Sequence, residues 1–492
     1  MRRWLLLLLA CCTALVVRLV FVSVTASDGP GMVAHYVGLA DMMSSGYGFN
    51  RVHIDEWKEY RRAMRRHSRE LASEGRQLDA STRLPLPSPL LPEFYRNPVY
   101  PAFLHGVYRA FGEPIERNAR IVQSLLTAVY PLLVFALALM LFERTGPALL
   151  AAWLTALHPA LAYLDGSLLA DGFASLLLLA AVVAVVAGVR SQRLRWFLLA
   201  GLLLGAAAHL RSTLMYSWVF LGAALFVALP RWSLPAKATA LVAVCLHLVL
   251  LPWALRNHRL TGEWMWGTTR GGATLWESAG QFPNPWGMKL LDAAARARAQ
   301  AAGFESEMTP EADAWFMEQV KSAVREDPLF FVVAAFKRLP WIFAPPYLIG
   351  YDNPNRTMGM ITHFVNEKGL SPWQVLIRHP GYVLAAFWER ALVMLLGAAG
   401  ALSALWLAAS RLRTRPWAVA LFLAIPVFLV AFHAITHVTP RYLAPLIPYQ
   451  MIGIAFVVSD LRGRLRAREV PHLASEGERE AAGSEREAAA RS

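Results

Sequence analysis

Residues 168–189 read LLADGFASLLLLAAVVAVVAGV, and this stretch decides the fold class. After Asp171 it contains no charged side chain. As an α-helix, a run of about 20 apolar residues spans the ~30 Å hydrocarbon core of a bilayer. The stretch therefore predicts a transmembrane helix that begins with a carboxylate at one membrane face.

Similar runs recur along the 492-residue chain, which is 56% hydrophobic and has a mean hydropathy of +0.39. At about 20 residues per span, they predict about ten transmembrane helices and an all-α polytopic membrane protein. The predicted helices lie near residues 4–24, 119–142, 147–164, 168–189, 194–210, 213–230, 236–254, 381–409, 416–435 and 441–459.

The net charge of +14 comes in large part from arginines in short connections between predicted helices, such as RSQRLR and RLRTRP. Cytoplasmic loops are enriched in Lys and Arg, so these connections and both termini are predicted to be cytoplasmic. Because aromatic residues do not alternate with the basic ones, no nucleic-acid partner is expected. Membrane lipids are expected partners. The three cysteines lie inside apolar runs, which argues against a disulfide framework or a cysteine metal site.

The first apolar run continues to Val24, beyond the usual length of a signal peptide, and we interpret it as an uncleaved helix. Arg18 inside it either reaches the interface or faces the helix bundle. The chain divides into an N-terminal transmembrane module (1–254) with a first periplasmic loop (25–118), a periplasmic domain (255–380), C-terminal transmembrane helices (381–460) and a disordered cytoplasmic tail (461–492).

Three segments of the predicted external regions have patterns of their own. Residues 32–46 are predicted to be a helix lying in the membrane interface, and residues 53–76 a solvated helix or partly disordered arm. A further helix is predicted over residues 309–326. The charged stretch 51–90 has no role that the sequence assigns.

Isolated ionisable residues collect at the predicted outer ends of the helices. Each alone is compatible with a polar residue beside lipid headgroups. Together they would surround a cavity with carboxylates and guanidinium groups, the set that transfer of a group from a lipid phosphate requires. These residues are Asp28, His35, Arg96, Asp165, Asp171, Arg211, Arg256, His258, His433, His437 and Arg441.

An ordered set of motifs across residues 5–280 and 430–459 resembles a known family. It includes DGPGMVAHYVGLADMMSSGYGF, RNPVYPAFLHGVYRAFG, ALHPALAYLDGSLLADGFASLLL, LPWALRNHRLTGEW and HVTPRYLAPLIPY. In this order they resemble polyprenyl-phosphate-sugar glycosyltransferases of the GT-C fold, in particular bacterial protein O-mannosyltransferase-like and aminoarabinose-transferase-like enzymes. Residues 285–380 resemble no family that we can name.

The resemblance implies an inverting hexosyl- or pentosyltransferase in the bacterial inner (plasma) membrane, with its active site on the periplasmic side. The donor would be a polyprenyl-phosphate-linked sugar, and the acceptor, a glycan, a lipid or a protein, stays open. Asp28 is implied to be the general base, the alternative being a helix cap. The rival acid Asp41 is expected to be exposed at the surface.

A second family acid corresponds to Asp171 or Asp165, of which Asp171 is preferred, and would position the acceptor or a metal. Arg211, Arg256 and Arg441 are implied to bind the donor phosphate. The remaining residues implied to contact substrate are His35, Tyr36, Arg96 and Tyr442. Some relatives have an acid and a lysine where this chain has Arg96 and Asn97, so no cofactor is assigned and a role for a divalent metal ion stays open.

Two other classes of protein compete with this interpretation. A lipid or solute transporter would carry ionisable residues near the midplane of its helices and have broken helices or repeated halves, and a scaffold would have no use for clustered carboxylates. Here only Arg18, His209 and His247 lie away from the outer face. The sequence therefore favours an enzyme, with a transporter or flippase as the alternative.

Overall fold

The computed structural model of the protein describes residues 2–24, 32–51, 54–76, 84–86, 89–111, 116–290, 292–343 and 369–465. Within these ranges the chain is mainly helical, and one antiparallel pair of two-residue strands, β1 (Asn50–Arg51) and β2 (Leu91–Pro92), joins two external segments. The predicted all-α, polytopic fold class is confirmed.

The helices are numbered here in chain order. They are α1 (Arg2–Val24), α2 (Met32–Ser44), α3 (Ile54–Ser73), α4 (Val99–Phe111), α5 (Glu116–Thr127), α6 (Tyr130–Phe142), α7 (Thr145–Ala156), α8 (Pro159–Gly166), α9 (Ala170–Ser191), α10 (Leu194–Leu210), α11 (Ser217–Ala228), α12 (Ser233–Thr261), α13 (Gly271–Ala279), α14 (Asp292–Ala301), α15 (Pro310–Glu326), α16 (Pro328–Phe343), α17 (Pro372–Arg378), α18 (Pro380–Arg411), α19 (Pro416–Ile435) and α20 (Arg441–Leu465). A short 3-10 helix, Ser212–Tyr216, precedes α11, and another, Pro440–Leu446, overlaps the first turns of α20.

Seven helical segments of the described chain are long and apolar enough to cross a membrane, or eight if the bent pair α7 and α8 forms one span. The predicted count of about ten is therefore not confirmed. Two of the predicted spans are short apolar helices here, α10 with 17 residues and the run Ser212–Ala228.

The bend of 51° between α7 and α8 breaks the helix predicted over residues 147–164. His158 has an extended backbone (ψ 117°) because the ring of Pro159 disfavours helical geometry in the residue before it. Past the bend, α8 packs against α1, and this contact directs Asp165 into the core.

The centre of the bundle is closely packed around α10, which lies between α9 and α12. A Cβ atom on Gly201 would lie 2.6 Å from Cys245 Cβ, and one on Gly205 2.6 Å from Val249 Cβ. The two glycines, four residues apart, thus let α10 and α12 approach closely, as small residues do in membrane helix pairs. The turn that follows α10 therefore begins from a closely packed pair of helices.

The two external helices α2 and α3 differ from expectation in what their apolar sides contact. The helix predicted over residues 32–46 is present as α2, but its Val37 and Ala40 are buried in the main core together with Leu104 of α4, rather than presented to lipid. The segment 53–76 forms α3, whose Trp57 and Tyr60 are buried. Its charged residues are therefore not distributed all round the helix.

Residues 271–323 build a second hydrophobic cluster, in which Trp276 of α13 and Phe316 of α15 have ring centres 5.3 Å apart. The helix predicted over 309–326 is confirmed as α15, and Thr309 caps it by accepting a hydrogen bond from the Ala312 N–H at 3.2 Å. The Asp313 carboxylate accepts a hydrogen bond from the Ala273 N–H at 2.9 Å, which joins the two helices.

Candidate functional site

A cavity of about 1360 Å³ opens where α2, the segment before α4, the start of α9, the turn after α10, the segment after α12 and the end of α19 meet. A space of this size exceeds the usual range for small-molecule pockets. Of the nine site residues named from the sequence, six line it: Tyr36, Arg96, Asp171, Arg211, Arg441 and Tyr442.

Asp171 lies in the first turn of α9, where the positive end of the helix dipole favours a carboxylate. One of its oxygens forms an ion pair with Arg211, at the end of α10. The other oxygen faces Arg441 of α20, with 3.9 Å to Nε. The Asp171 side chain is only 5% exposed, so α9, α10 and α20 are tied together by one nearly buried carboxylate between two guanidinium groups.

Tyr442 is the aromatic centre of this cluster. The guanidinium carbon of Arg211 lies 3.5 Å from the centre of its ring, a cation–π contact. Arg441 donates a hydrogen bond to the Tyr442 hydroxyl at 3.2 Å. The rings of His433 and His437 lie 6.1 and 5.8 Å from the tyrosine ring. Aromatic faces beside cations therefore form one wall of the cavity.

Arg96 enters the cavity from another side. Its guanidinium carbon lies 5.1 Å from the Tyr36 ring centre and 4.7 Å from that of Tyr95. Glu93, 3% exposed, shapes the turn that presents it, since one carboxylate oxygen accepts hydrogen bonds from the Tyr95 N–H at 2.5 Å and the Arg96 N–H at 2.8 Å. Burial raises the pKa of Glu93.

Arg270 is a fourth arginine in the cavity lining, and sequence reasoning missed it. Its guanidinium lies 4.9 Å from the Tyr95 ring centre and pairs with Glu277 at 3.0 Å and Asp292 at 2.7 Å. Burial raises the pKa of Glu277 to about 7; burial also acts to raise that of Asp292, but Arg270 lowers it to about 2. The spacing of Arg270 and Glu277, two helical turns apart, is the only signal that could have indicated the pair.

Three of the named site residues lie elsewhere. His35 lines a smaller neighbouring pocket together with Glu93, and burial and the nearby charge of Arg96 lower its pKa to about 3. Arg256 donates hydrogen bonds to the carbonyl groups of Glu93 at 3.0 Å and Phe49 at 3.2 Å, so it holds two external segments together and does not line the cavity. Asp28 lies outside the described residues.

The two rival acids are both buried. Asp165, 0% exposed, pairs with Arg18 through Nε at 2.8 Å, away from the cavity lining, and this contact shows that Arg18 faces the bundle interior. Asp41 was expected at the surface, but it is only 6% exposed. That expectation is wrong because α2 packs against α4 and α3 instead of lying free in the interface.

The described residues do not fit a divalent metal site. In that part of the chain no three His, Cys, Asp or Glu side chains converge as ligands. Both Asp171 oxygens face guanidinium groups, which would repel a cation.

Comparisons with known proteins agree with this architecture. Residues 95–254 match the family model described as dolichyl-phosphate-mannose-protein mannosyltransferase. No curated protein sequence matches the chain. The apo crystal structure of the Archaeoglobus fulgidus oligosaccharyltransferase matches with a TM-score of 0.51 at 11% identity, covering 95% of this chain and 52% of that one.

The archaeal oligosaccharyltransferase AglB from the same organism, in complex with an inhibitory peptide and a dolichol-phosphate, matches with a TM-score of 0.51 at 12% identity, covering 96% of this chain and 51% of that one. The chain thus spans about half the length of these structures. The matches confirm the resemblance to GT-C enzymes and the GT-C-like fold.

Proposed function

We propose that the protein is an integral membrane glycosyltransferase that transfers a sugar from a polyprenyl-phosphate donor to an acceptor on the outer, periplasmic side of the membrane. The observation that carries the proposal is the cluster of Asp171, Arg211, Arg441 and Tyr442 in one large cavity at the helix ends. The family match over residues 95–254 and the GT-C-like fold support it.

The donor phosphate would lie against the arginines of the cavity. A polyprenyl phosphate is a stable anion when it leaves, so it needs positive charge and hydrogen-bond donors rather than a general acid. Guanidinium groups supply both, in a geometry that suits phosphate oxygens. Arg211 and Arg441 share one carboxylate, which leaves the pair with a net positive charge, and Arg96 adds a third guanidinium to the cavity lining.

In the proposed reaction an acceptor hydroxyl attacks the anomeric carbon of the sugar from the face opposite the phosphate. The new carbon–oxygen bond forms as the bond from that carbon to the phosphate oxygen breaks, which inverts the configuration. Asp28 takes the hydroxyl proton as general base. This role rests on the position of Asp28 after α1 in the family motif.

Asp171 has a positioning role in this scheme, because it orients two of the arginines. Arg256 holds the segments that contain Phe49 and Glu93, so its contribution to the phosphate site is indirect. The separate hydrophobic cluster of α13 to α15 supports the external domain (255–380) in the proposed division, which also has a transmembrane module (1–254) and C-terminal helices (381–460).

The test uses purified protein in liposomes with a panel of polyprenyl-phosphate sugars and measures release of free polyprenyl phosphate. We expect release from at least one donor, and a loss of at least a hundredfold in the Asp28→Asn and Arg211→Gln variants. Arg259→Gln is the matched control, since Arg259 is exposed and lies outside the cavity lining. Lipid or solute movement without release from any donor would overturn the proposal in favour of a transporter.

A further inference from the structure

His433 is a nearly buried histidine, 3% exposed, at the end of α19, and it lines the cavity. Its Nδ1 lies 3.2 Å from the carbonyl oxygen of His437. A carbonyl group can only accept a hydrogen bond, so Nδ1 must carry the proton. This contact selects one tautomer of the ring.

The other ring nitrogen, Nε2, is consequently a lone-pair acceptor when the imidazole is neutral, as an imidazole largely is at pH 7. Within the described residues no hydrogen bond reaches Nε2 and no carboxylate pairs with the ring. Since His433 lines the cavity, a group that enters the cavity can approach this acceptor.

The position of His433 indicates which part of a substrate it faces. Arg211 lies 3.5 Å from the centre of the Tyr442 ring, and the His433 ring lies 6.1 Å from the same ring. Arg211 and His433 therefore lie beside the same tyrosine ring in one cavity, so a donor whose phosphate contacts Arg211 has its sugar in the space that His433 also lines. Phe432 and Tyr216, both in the cavity lining, supply apolar and aromatic faces of the kind that cover a sugar ring.

We propose that His433 selects the transferred sugar by accepting a hydrogen bond at Nε2 from one of the sugar's hydroxyl groups. This inference rests on the proposed function and adds a specificity-determining residue to it. A site that is built to pair with a hydroxyl group rejects the analogue that lacks the group, because a buried acceptor then stays without a partner. The histidine thus acts on choice of donor rather than on proton transfer.

The test compares donor sugars that each lack one hydroxyl group. We expect one deoxy donor to lower kcat/KM of the wild type roughly ten- to a hundredfold. In His433→Asn the amide N–H can still donate to the His437 carbonyl, but no acceptor occupies the Nε2 position. With the complete donor, kcat/KM of that variant should be lower than that of the wild type by a similar factor. With the deoxy donor that the wild type rejects, kcat/KM of the variant should not fall any further.

His433→Gln should keep most of the discrimination, since its amide oxygen reaches the position of Nε2. The matched control is His209→Gln: His209 is also buried and contacts a carbonyl oxygen through Nε2 at 3.0 Å, but lies outside the cavity lining. In His209→Gln, the loss of kcat/KM with each deoxy donor should be the same as in the wild type. If His433→Asn does not fold, His433→Ser serves the same comparison.

Equal deoxy-donor penalties in the wild type and in the folded His433 variant would overturn the inference and leave the proposed function intact. A wild-type protein that releases polyprenyl phosphate from no complete donor would overturn both. The two failures are therefore distinguishable.

Discussion

At the residue scale, two nearly buried arginine–aspartate pairs differ in what lies beside them. Arg18 and Asp165 are both 0% exposed and are enclosed by helices α1 and α8. Arg211 and Asp171 are 18% and 5% exposed and face a cavity. Within the described part of the chain, the first pair contacts only the helix bundle that encloses it, whereas the second presents charge to the cavity.

We therefore expect the ion pair of Arg18 and Asp165 to contribute to the stability of the folded protein. Asp165→Asn leaves a buried guanidinium without its counter-ion, and breaking a buried pair in this way costs about 3–5 kcal/mol. We expect a clear fall in the thermal unfolding midpoint in detergent. The double variant Arg18→Met with Asp165→Leu should recover most of the loss, because no uncompensated charge remains. A single Asn variant as stable as the wild type would show that another group neutralises Arg18.

A second residue-scale prediction concerns pH and Glu277. Burial raises the pKa of this carboxyl from 4.5 to about 7 in the folded protein. Its contribution to stability is therefore complete below pH 4.5 and is lost as the pH rises to about 7. Asp292, with its pKa lowered to about 2, contributes in the opposite sense and only at lower pH.

We expect the unfolding midpoint of Glu277→Gln to rise relative to that of the wild type as the pH increases from 4.5 to 7.5, because only the wild type loses the contribution of Glu277 over this range. Glu305→Gln, which changes an exposed glutamate of the same region, is the control. Parallel midpoint curves for the wild type and Glu277→Gln would contradict the prediction.

At the element scale, the sequence predicts which charged side chains lie at the ends of helices, but it does not predict which of them meet in the folded protein. Arg211, Arg256 and Arg441 all lie at the ends of apolar runs, and all three are predicted at the outer face. Only tertiary packing decides that Arg211 and Arg441 meet at Asp171 while Arg256 bonds to external carbonyl groups. Arg270 was missed because it lies in a segment without an apolar run or a family motif.

The same distinction explains the errors in the helices. The long apolar runs at residues 4–24, 168–189 and 416–435 are each one long helix in the structure, as their length predicts, whereas the runs at 147–164, 194–210 and 213–230 are broken or short. The break at Pro159 and the burial of α2 depend on local backbone geometry and on tertiary partners. The amphipathic character of α3 could have been recognised from the spacing of Trp57, Tyr60 and Met64, which share one helical face.

The contact between α10 and α12 permits a prediction with a matched control. A methyl group at Gly201 would lie 2.6 Å from Cys245 Cβ and from the Val242 carbonyl oxygen, whereas one at Gly146 meets no atom within 4 Å. Gly201→Ala should therefore destabilise the protein by about 1–3 kcal/mol through overpacking, and Gly146→Ala should be close to neutral. The comparison is made by thermal unfolding in one detergent; equal midpoints would mean that the two helices can separate at little cost.

At the scale of the whole molecule, the proposed donor requires the cavity to open on the outer side of the membrane. Helix α12 provides the test, because its 29 residues extend over about 43 Å and exposed tryptophans flank both ends. Trp232, 83% exposed, precedes the helix in a basic connection, and Trp264, 53% exposed, follows it in the cavity lining.

In a variant whose three cysteines are replaced by serine, Trp264→Cys should react with a membrane-impermeant maleimide added to intact cells. Trp232→Cys should react only after the membrane is permeabilised, since basic connections stay in the cytoplasm. The two cysteines lie at opposite ends of α12. If α12 does not cross the membrane, the labelling difference between the two variants disappears, and if it crosses in the opposite direction, the two labelling results are exchanged. An exchange would place Asp171 and its arginines on the cytoplasmic side. The reaction would then have to use a donor presented in the cytoplasm, and the outward-facing glycosyltransferase would have to be abandoned even if release of polyprenyl phosphate were observed.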